Sequence, residues 1–135
     1  IRRLDDVEAH IEALASCEDC ELIYRELRGY TRDFYDNLMN HIEHEETELF
    51  PSVPNPDRVT LLHLQLQHLN LVEWASLLKR KVVQMRINSA SGPPDVSDLA
   101  ELVGEIRAEM RSHSAGEAAF LRGEAYAEAH REEVQ

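Results

Sequence analysis

Leu99, Val103, Ile106, Met110, His113, Glu117 and Phe120 follow one another in alternating steps of four and three residues. That spacing returns every side chain to one stripe of an α-helix, and an apolar stripe must be buried against a neighbouring helix. The same rhythm runs through Leu61, Leu64, His68, Leu71, Ala75, Leu78 and Val82. Two stretches interrupt it. In Pro51-Ser52-Val53-Pro54-Asn55-Pro56-Asp57, Asn55 is the expected cap and Pro56 the first helical residue. In Ser89-Ala90-Ser91-Gly92-Pro93-Pro94-Asp95, Asp95 and Asp98 form a weak capping arrangement. A softer break lies at 16–20. Four helices are therefore predicted, at 2–16, 20–50, 56–88 and 95–122, followed by a polar tail over 123–135 with room for a short helix. Connections this short favour antiparallel neighbours, so residues 1–122 are expected to form an all-α, up-down-up-down four-helix bundle.

With 26 acidic residues against 14 Lys and Arg, the chain carries a formal charge of -12. Such a surface repels phosphate backbones and anionic lipid, which argues against nucleic acid and membrane as partners. No apolar run reaches membrane-spanning length and no signal-peptide pattern opens the chain, so a cytoplasmic protein is expected. Cys17 and Cys20, a C-x-x-C in the first interhelical loop, are too few for a disulfide scaffold and lack the strand–helix setting of a thioredoxin-type motif. The default is two loop cysteines without a special role.

The apolar seams are broken by one kind of residue. His113 and Glu117 interrupt the last helix and His68 the third. Phe34 and Leu38 lead into His41 and Glu45, and Val7 and Leu14 flank His10. Burying an unpaired carboxylate or imidazolium costs several kcal/mol, and two carboxylates in one core repel. A domain whose whole stability is about 5–15 kcal/mol needs compensation for six such groups. A multivalent cation supplies it: imidazole nitrogen with carboxylate oxygen suits Fe, Mn or Zn, and two Glu side chains suit two ions rather than one. A single seam histidine is usually a hydrogen-bonded core residue. Four seams with two His-x-x-x-Glu pairs are a different matter.

Register narrows the set. His44 and Glu48 also make a His-x-x-x-Glu pair, but their stripe leads back to Asn40 and Asn37, so His41 and Glu45 are the expected buried pair and His44 a shoulder residue beside the metal ligands. His63 shares a stripe with Gln67 and Asn70 and is read as boundary or surface, and His130 lies in the polar tail. The Glu-x-x-His pairs of ferritin-like sites are absent, since Leu38, Gln65 and Met110 stand three before His41, His68 and His113. The zinc-protease form fails as well, because the fifth position of His44-Glu45-Glu46-Thr47-Glu48 is Glu48.

The segment His41-Ile42-Glu43-His44-Glu45-Glu46-Thr47-Glu48-Leu49-Phe50-Pro51 resembles the signature of the HHE-type hemerythrin-like cation-binding domains, H-x-x-x-E-E followed by L-F-P. His10, Gln67-His68 and the His113/Glu117 pair agree with that family in order and rough spacing, so the resemblance covers nearly the whole chain. It implies a non-haem centre of two iron ions, with Glu45 and Glu117 bridging, His10 and His41 serving one ion, and His68 and His113 the other. It also implies reversible binding or sensing of oxygen, nitric oxide, peroxide or redox state. Two departures bear on function. Oxygen carriers keep a second histidine four residues after the third-helix ligand, where this chain has Val72. The last carboxylate is Glu117 at plus four, where the carriers have Asp at plus five. Six ligands in place of seven leave room for an exogenous ligand and argue against simple oxygen transport. A diatomic-binding or sensing module, a di-iron enzyme acting on peroxide or nitric oxide, and an iron-storage or structural metal protein are the functions to be separated. The sequence leaves the oligomeric state undecided.

Overall fold

The computed structural model describes residues 2–16, 20–85 and 96–122. Four helices account for nearly all of them: α1 (Arg2–Ala15), α2 (Glu21–His44), α3 (Arg58–Gln84) and α4 (Ser97–Leu121). Consecutive helices pack antiparallel. At one end of the α2–α3 pair the Tyr24 hydroxyl donates to the Val83 carbonyl, and at the other Glu46 meets His68. On the α3–α4 pair, Lys81 lies beside Asp98 and His68 beside His113. Arg107 closes the ring of helices by bonding Asp5 and Glu8 on α1. The expected all-α bundle is the observed fold, and no helix among the described residues is long and apolar enough to cross a membrane.

Each helix buries the greater part of its apolar stripe. Leu4, Val7, Ile11 and Leu14 of α1 face Leu27, Phe34 and Leu38 of α2, Leu71, Ala75, Leu78 and Val82 of α3, and Leu99, Val103 and Ile106 of α4. Full burial of each Leu or Val side chain contributes about 1.5–3 kcal/mol, so this cluster outweighs any single surface ion pair. Cys20 is buried at the start of α2. Cys17, Asp95, His130 and the tail 123–135 lie outside the described residues.

Two boundaries differ from the sequence expectation for identifiable reasons. α3 begins at Arg58 with Asp57 as N-cap, whose carboxylate accepts from the Thr60 hydroxyl. Asn55 is not the cap: its φ of 49° puts it in the left-handed region, which Asn tolerates better than most residues. The second helix does not run regularly to residue 50. Regular α-helix stops at His44 and continues as a π-helical turn, Glu45–Leu49, then a 3-10 turn, Phe50–Ser52. Pro51 has no N–H to offer the Thr47 carbonyl and its ring would collide with that oxygen in a regular helix. Thr47 adds to the distortion by donating its hydroxyl to the Glu43 carbonyl at 2.7 Å, a bond that bends helices. The chain answers by widening the turn, so that the Phe50 N–H reaches back five residues to the Glu45 carbonyl.

Candidate metal centre

Glu45 begins the π-helical turn and is fully buried, with both carboxylate oxygens among imidazole rings. Its Oε2 lies 3.4 Å from His68 Nε2, its Oε1 lies 3.3 Å from His41 Nε2, and His113 Nε2 stands 3.3 and 3.4 Å from the two oxygens. His113 Nε2 is also 3.3 Å from Glu117 Oε2 and 3.0 Å from His68 Nε2. The helix ends therefore gather five of the six predicted residues, His41, Glu45, His68, His113 and Glu117, into two groups of donor atoms that share Glu45. One is Glu45, His68 and His113, all buried; the other is His41, Glu45 and Glu117, more open to solvent.

The outer nitrogens of the buried pair are committed. His68 Nδ1 donates to Glu46 Oε1 at 2.7 Å, because a carboxylate can only accept. His113 Nδ1 donates to Gln67 Oε1 at 3.1 Å, and the Gln67 amide nitrogen donates in turn to Ser112 Oγ at 3.0 Å. With both Nδ1 protons outward, two Nε2 lone pairs would confront each other at 3.0 Å unless one Nε2 is also protonated. Burial alone would lower the His113 pKa, but the Glu117 and Glu45 carboxylates overcome it and raise the pKa to about 9. Burial likewise pushes Glu45 up, yet bonds from His113 and His68 and the positive charge beside it hold its carboxyl far below the usual range. Without metal, a proton sits where the nitrogens and oxygens converge.

A cation fits the same place. With metal–ligand bonds of about 2.0–2.2 Å, neighbouring donor atoms around one tetrahedral or octahedral ion stand about 2.8–3.6 Å apart. The observed separations of 3.0, 3.3 and 3.4 Å fall inside that interval. Ordinary charge-assisted hydrogen bonds are shorter, about 2.7–2.9 Å. Neutral imidazole and carboxylate together are a donor set for a first-row transition metal.

His10 is not part of this cluster. Val7, His10 and Leu14 and Val7, Ile11 and Leu14 obey the same three–four rhythm, and burial of the larger apolar side chain selects the second, turning His10 to the flank of α1. There His10 Nε2 lies 2.7 Å from Glu26 Oε2, its Nδ1 donates to the Asp6 carbonyl at 2.8 Å, and its ring sits 4.7 Å from that of Tyr30. Both nitrogens face oxygen acceptors. Glu26 precedes Glu45 by nineteen residues, which is on the order of 28 Å along the helix.

The other histidines are placed as follows. His41 was expected to be buried, but it stands on the rim with its side chain 65% exposed and only Nε2 turned inward to Glu45. His44 does not approach the cluster; its Nδ1 pairs with Glu48 at 2.8 Å in solvent. His63 is half-buried on the flank of α3, and Val72, half-buried, adds no donor. The residues that sequence reasoning passed over are Glu46 and Gln67. The signals for them were adjacency to Glu45 and His68 and their place in the segments that carry the family resemblance, neither of which assigns them a role.

Beside the more open group lies a cavity of about 260 Å³ whose walls include Leu38, Ile42, Leu71, Met110, Ala118 and Leu121. The five donor residues form its polar base, and its apolar walls leave room for a small neutral molecule beside them. Comparison of the chain with family models, with curated proteins and with solved structures gives no match.

Proposed function

We propose that this chain is a hemerythrin-like di-iron protein that binds or senses oxygen, nitric oxide or redox state. The observation that carries the reading is the pair of donor groups sharing Glu45, with nitrogens and oxygens at coordination-edge separations. Glu45 would present one oxygen toward each half of the site, His68 and His113 would hold an ion in the buried half, and His41 and Glu117 would complete the open half. The ions would supply redox-active Lewis-acid positions; Mn could take their place, and Zn could occupy the same donors as a Lewis acid without redox chemistry. With His10 bonded elsewhere, five side chains serve the centre, so more positions are open to an exogenous ligand than the sequence suggested.

The protein's own part is access and polarity. Leu38, Leu71 and Met110 give the cavity apolar walls, which would favour entry of a small diatomic or peroxide molecule over bulkier polar ones. Near neutral pH, the protonated His113 beside Glu45 keeps the buried charges balanced until a cation replaces that proton. The direct test is metal content of the protein purified without added metal, with an absorption spectrum of the reduced form before and after air. Two irons per chain and a stable coloured adduct are expected; one zinc, or no metal, overturns the reading. Exposed His41 and the cavity beside it also favour a second reading, turnover of peroxide or nitric oxide, which repeated cycles with an added reductant would establish.

A further inference from the structure

We infer that Glu46 and Gln67 are positioning residues that fix the tautomer and ring orientation of His68 and His113, so that a cation fills the buried half of the centre first. This rests on the metal-centre reading above, but it makes its own claim: the two halves are unequal by construction.

Four features hold His68. Its Nδ1 donates to Glu46 Oε1 at 2.7 Å, and Gln65 Nε2 donates to the other Glu46 oxygen at 3.3 Å. The Phe50 ring stacks on the imidazole at a centroid distance of 5.6 Å and an angle of 6°. The ring itself is buried. His113 is held by Gln67 at 3.1 Å, and Gln67, only 4% exposed, is itself oriented by Ser112. Each outward bond leaves Nε2 as the inward, metal-binding nitrogen, and a carboxylate on Nδ1 strengthens that nitrogen as a donor. His41 has nothing comparable: among the described residues no protein group bonds its Nδ1, and its ring is largely in solvent. Binding there must fix an exposed side chain and select one of two tautomers. Glu45 and Glu46 stand where the regular helix passes into the π-helical turn, and from there Glu45 meets the imidazoles while Glu46 bonds His68 of α3.

The test uses the metal-free full chain titrated with Co²⁺ and followed by visible absorption, alongside nitrogen NMR of the histidine rings without metal. Wild type should bind in two resolved steps. Glu46→Ala should weaken the tighter step by about 10- to 100-fold and change the weaker one far less. Glu46→Gln, whose amide oxygen still accepts from His68 Nδ1, should recover most of that loss. Gln67→Met, close in volume, should weaken the same tighter step. In the NMR spectra His68 should carry its proton on Nδ1 in wild type and Glu46→Gln, and redistribute it in Glu46→Ala. A tighter step of wild-type strength in Glu46→Ala, or Glu46→Gln as weak as Glu46→Ala, overturns the inference while leaving the metal centre standing. A wild-type chain that binds no Co²⁺ overturns the metal centre itself, and the NMR comparison then judges the tautomer assignment alone.

Discussion

Replacing Glu45 by Gln should remove a specific piece of the pH dependence of folding in the metal-free protein. The substitution keeps the shape of a fully buried side chain and deletes the charge that faces His113. In the folded protein His113 titrates at about 9, against 6.5 for an unperturbed histidine. At about 1.4 kcal/mol per pH unit, that separation is worth about 3 kcal/mol of stability. Because the folded pKa is the higher one, the folded state binds the proton more tightly, and the contribution is fully present below pH 6.5 and lost as pH rises through 9. Glu45 adds the opposite limb: its depressed pKa stabilises the fold above 4.5, and that contribution fades as pH falls below it. Urea unfolding with a chelator present, at intervals from pH 5 to 10, should show wild type losing about 3 kcal/mol between pH 6.5 and 9, equivalent to roughly 10 °C in Tm for a chain of this size. Glu117 still raises His113 in the variant, so Glu45→Gln should flatten most of that slope but not all of it. A wild-type curve flat across pH 6.5–9, or a variant with the full wild-type slope, refutes the coupling of Glu45 to a protonated His113.

Three further outcomes follow from the same geometry. Cation binding should compete with the His113 proton, so apparent affinity should rise by about tenfold per pH unit from 7 to 9 and release a proton into weak buffer; pH-independent binding would count against it. His10→Ala should leave metal stoichiometry unchanged and cost no more than about 1 kcal/mol in denaturant unfolding, since its Glu26 partner is half exposed. Loss of an ion in that variant would return His10 to the centre. Phe50→Ala should cost about 3–5 kcal/mol by the same assay, because Phe50 is buried between His68 and an edge-on Phe120 at 5.4 Å.

The fold was legible because α3 and α4 each carry a long three–four stripe most of whose residues are buried, although α3 also repeats Val59, Leu62, Leu66 and Leu69 on an exposed face. His68 and His113 were legible for the same reason, as polar intrusions in the longest apolar stripe of each helix. α1 was not so constrained. Its seam admits His10 or Ile11 between Val7 and Leu14 with equal spacing, and the choice belongs to packing across helices, where a buried Ile is favourable and an imidazole with two nearby oxygens is satisfied at the edge. A periodic pattern says which residues share a stripe, and it cannot by itself say which of two overlapping stripes faces inward.

Glu46 escaped for a different reason, and it bears most directly on how the site works. Helical arithmetic treats residues 41–50 as one uniform cylinder, on which neighbouring glutamates point a quarter-turn or more apart and only one can serve the interior. Pro51 and Thr47 break that uniformity, yet the distortion reads from the sequence only as a helix end. In the folded chain the widened turn has its first residue at Glu45, and it allows two consecutive carboxylates to act on one cluster from different sides. A π-helical turn is less favourable than the α-helix it interrupts and is retained mostly where a site needs it. Here two consecutive carboxylates serve one cluster: Glu45 meets three imidazoles while Glu46 holds one of them from behind.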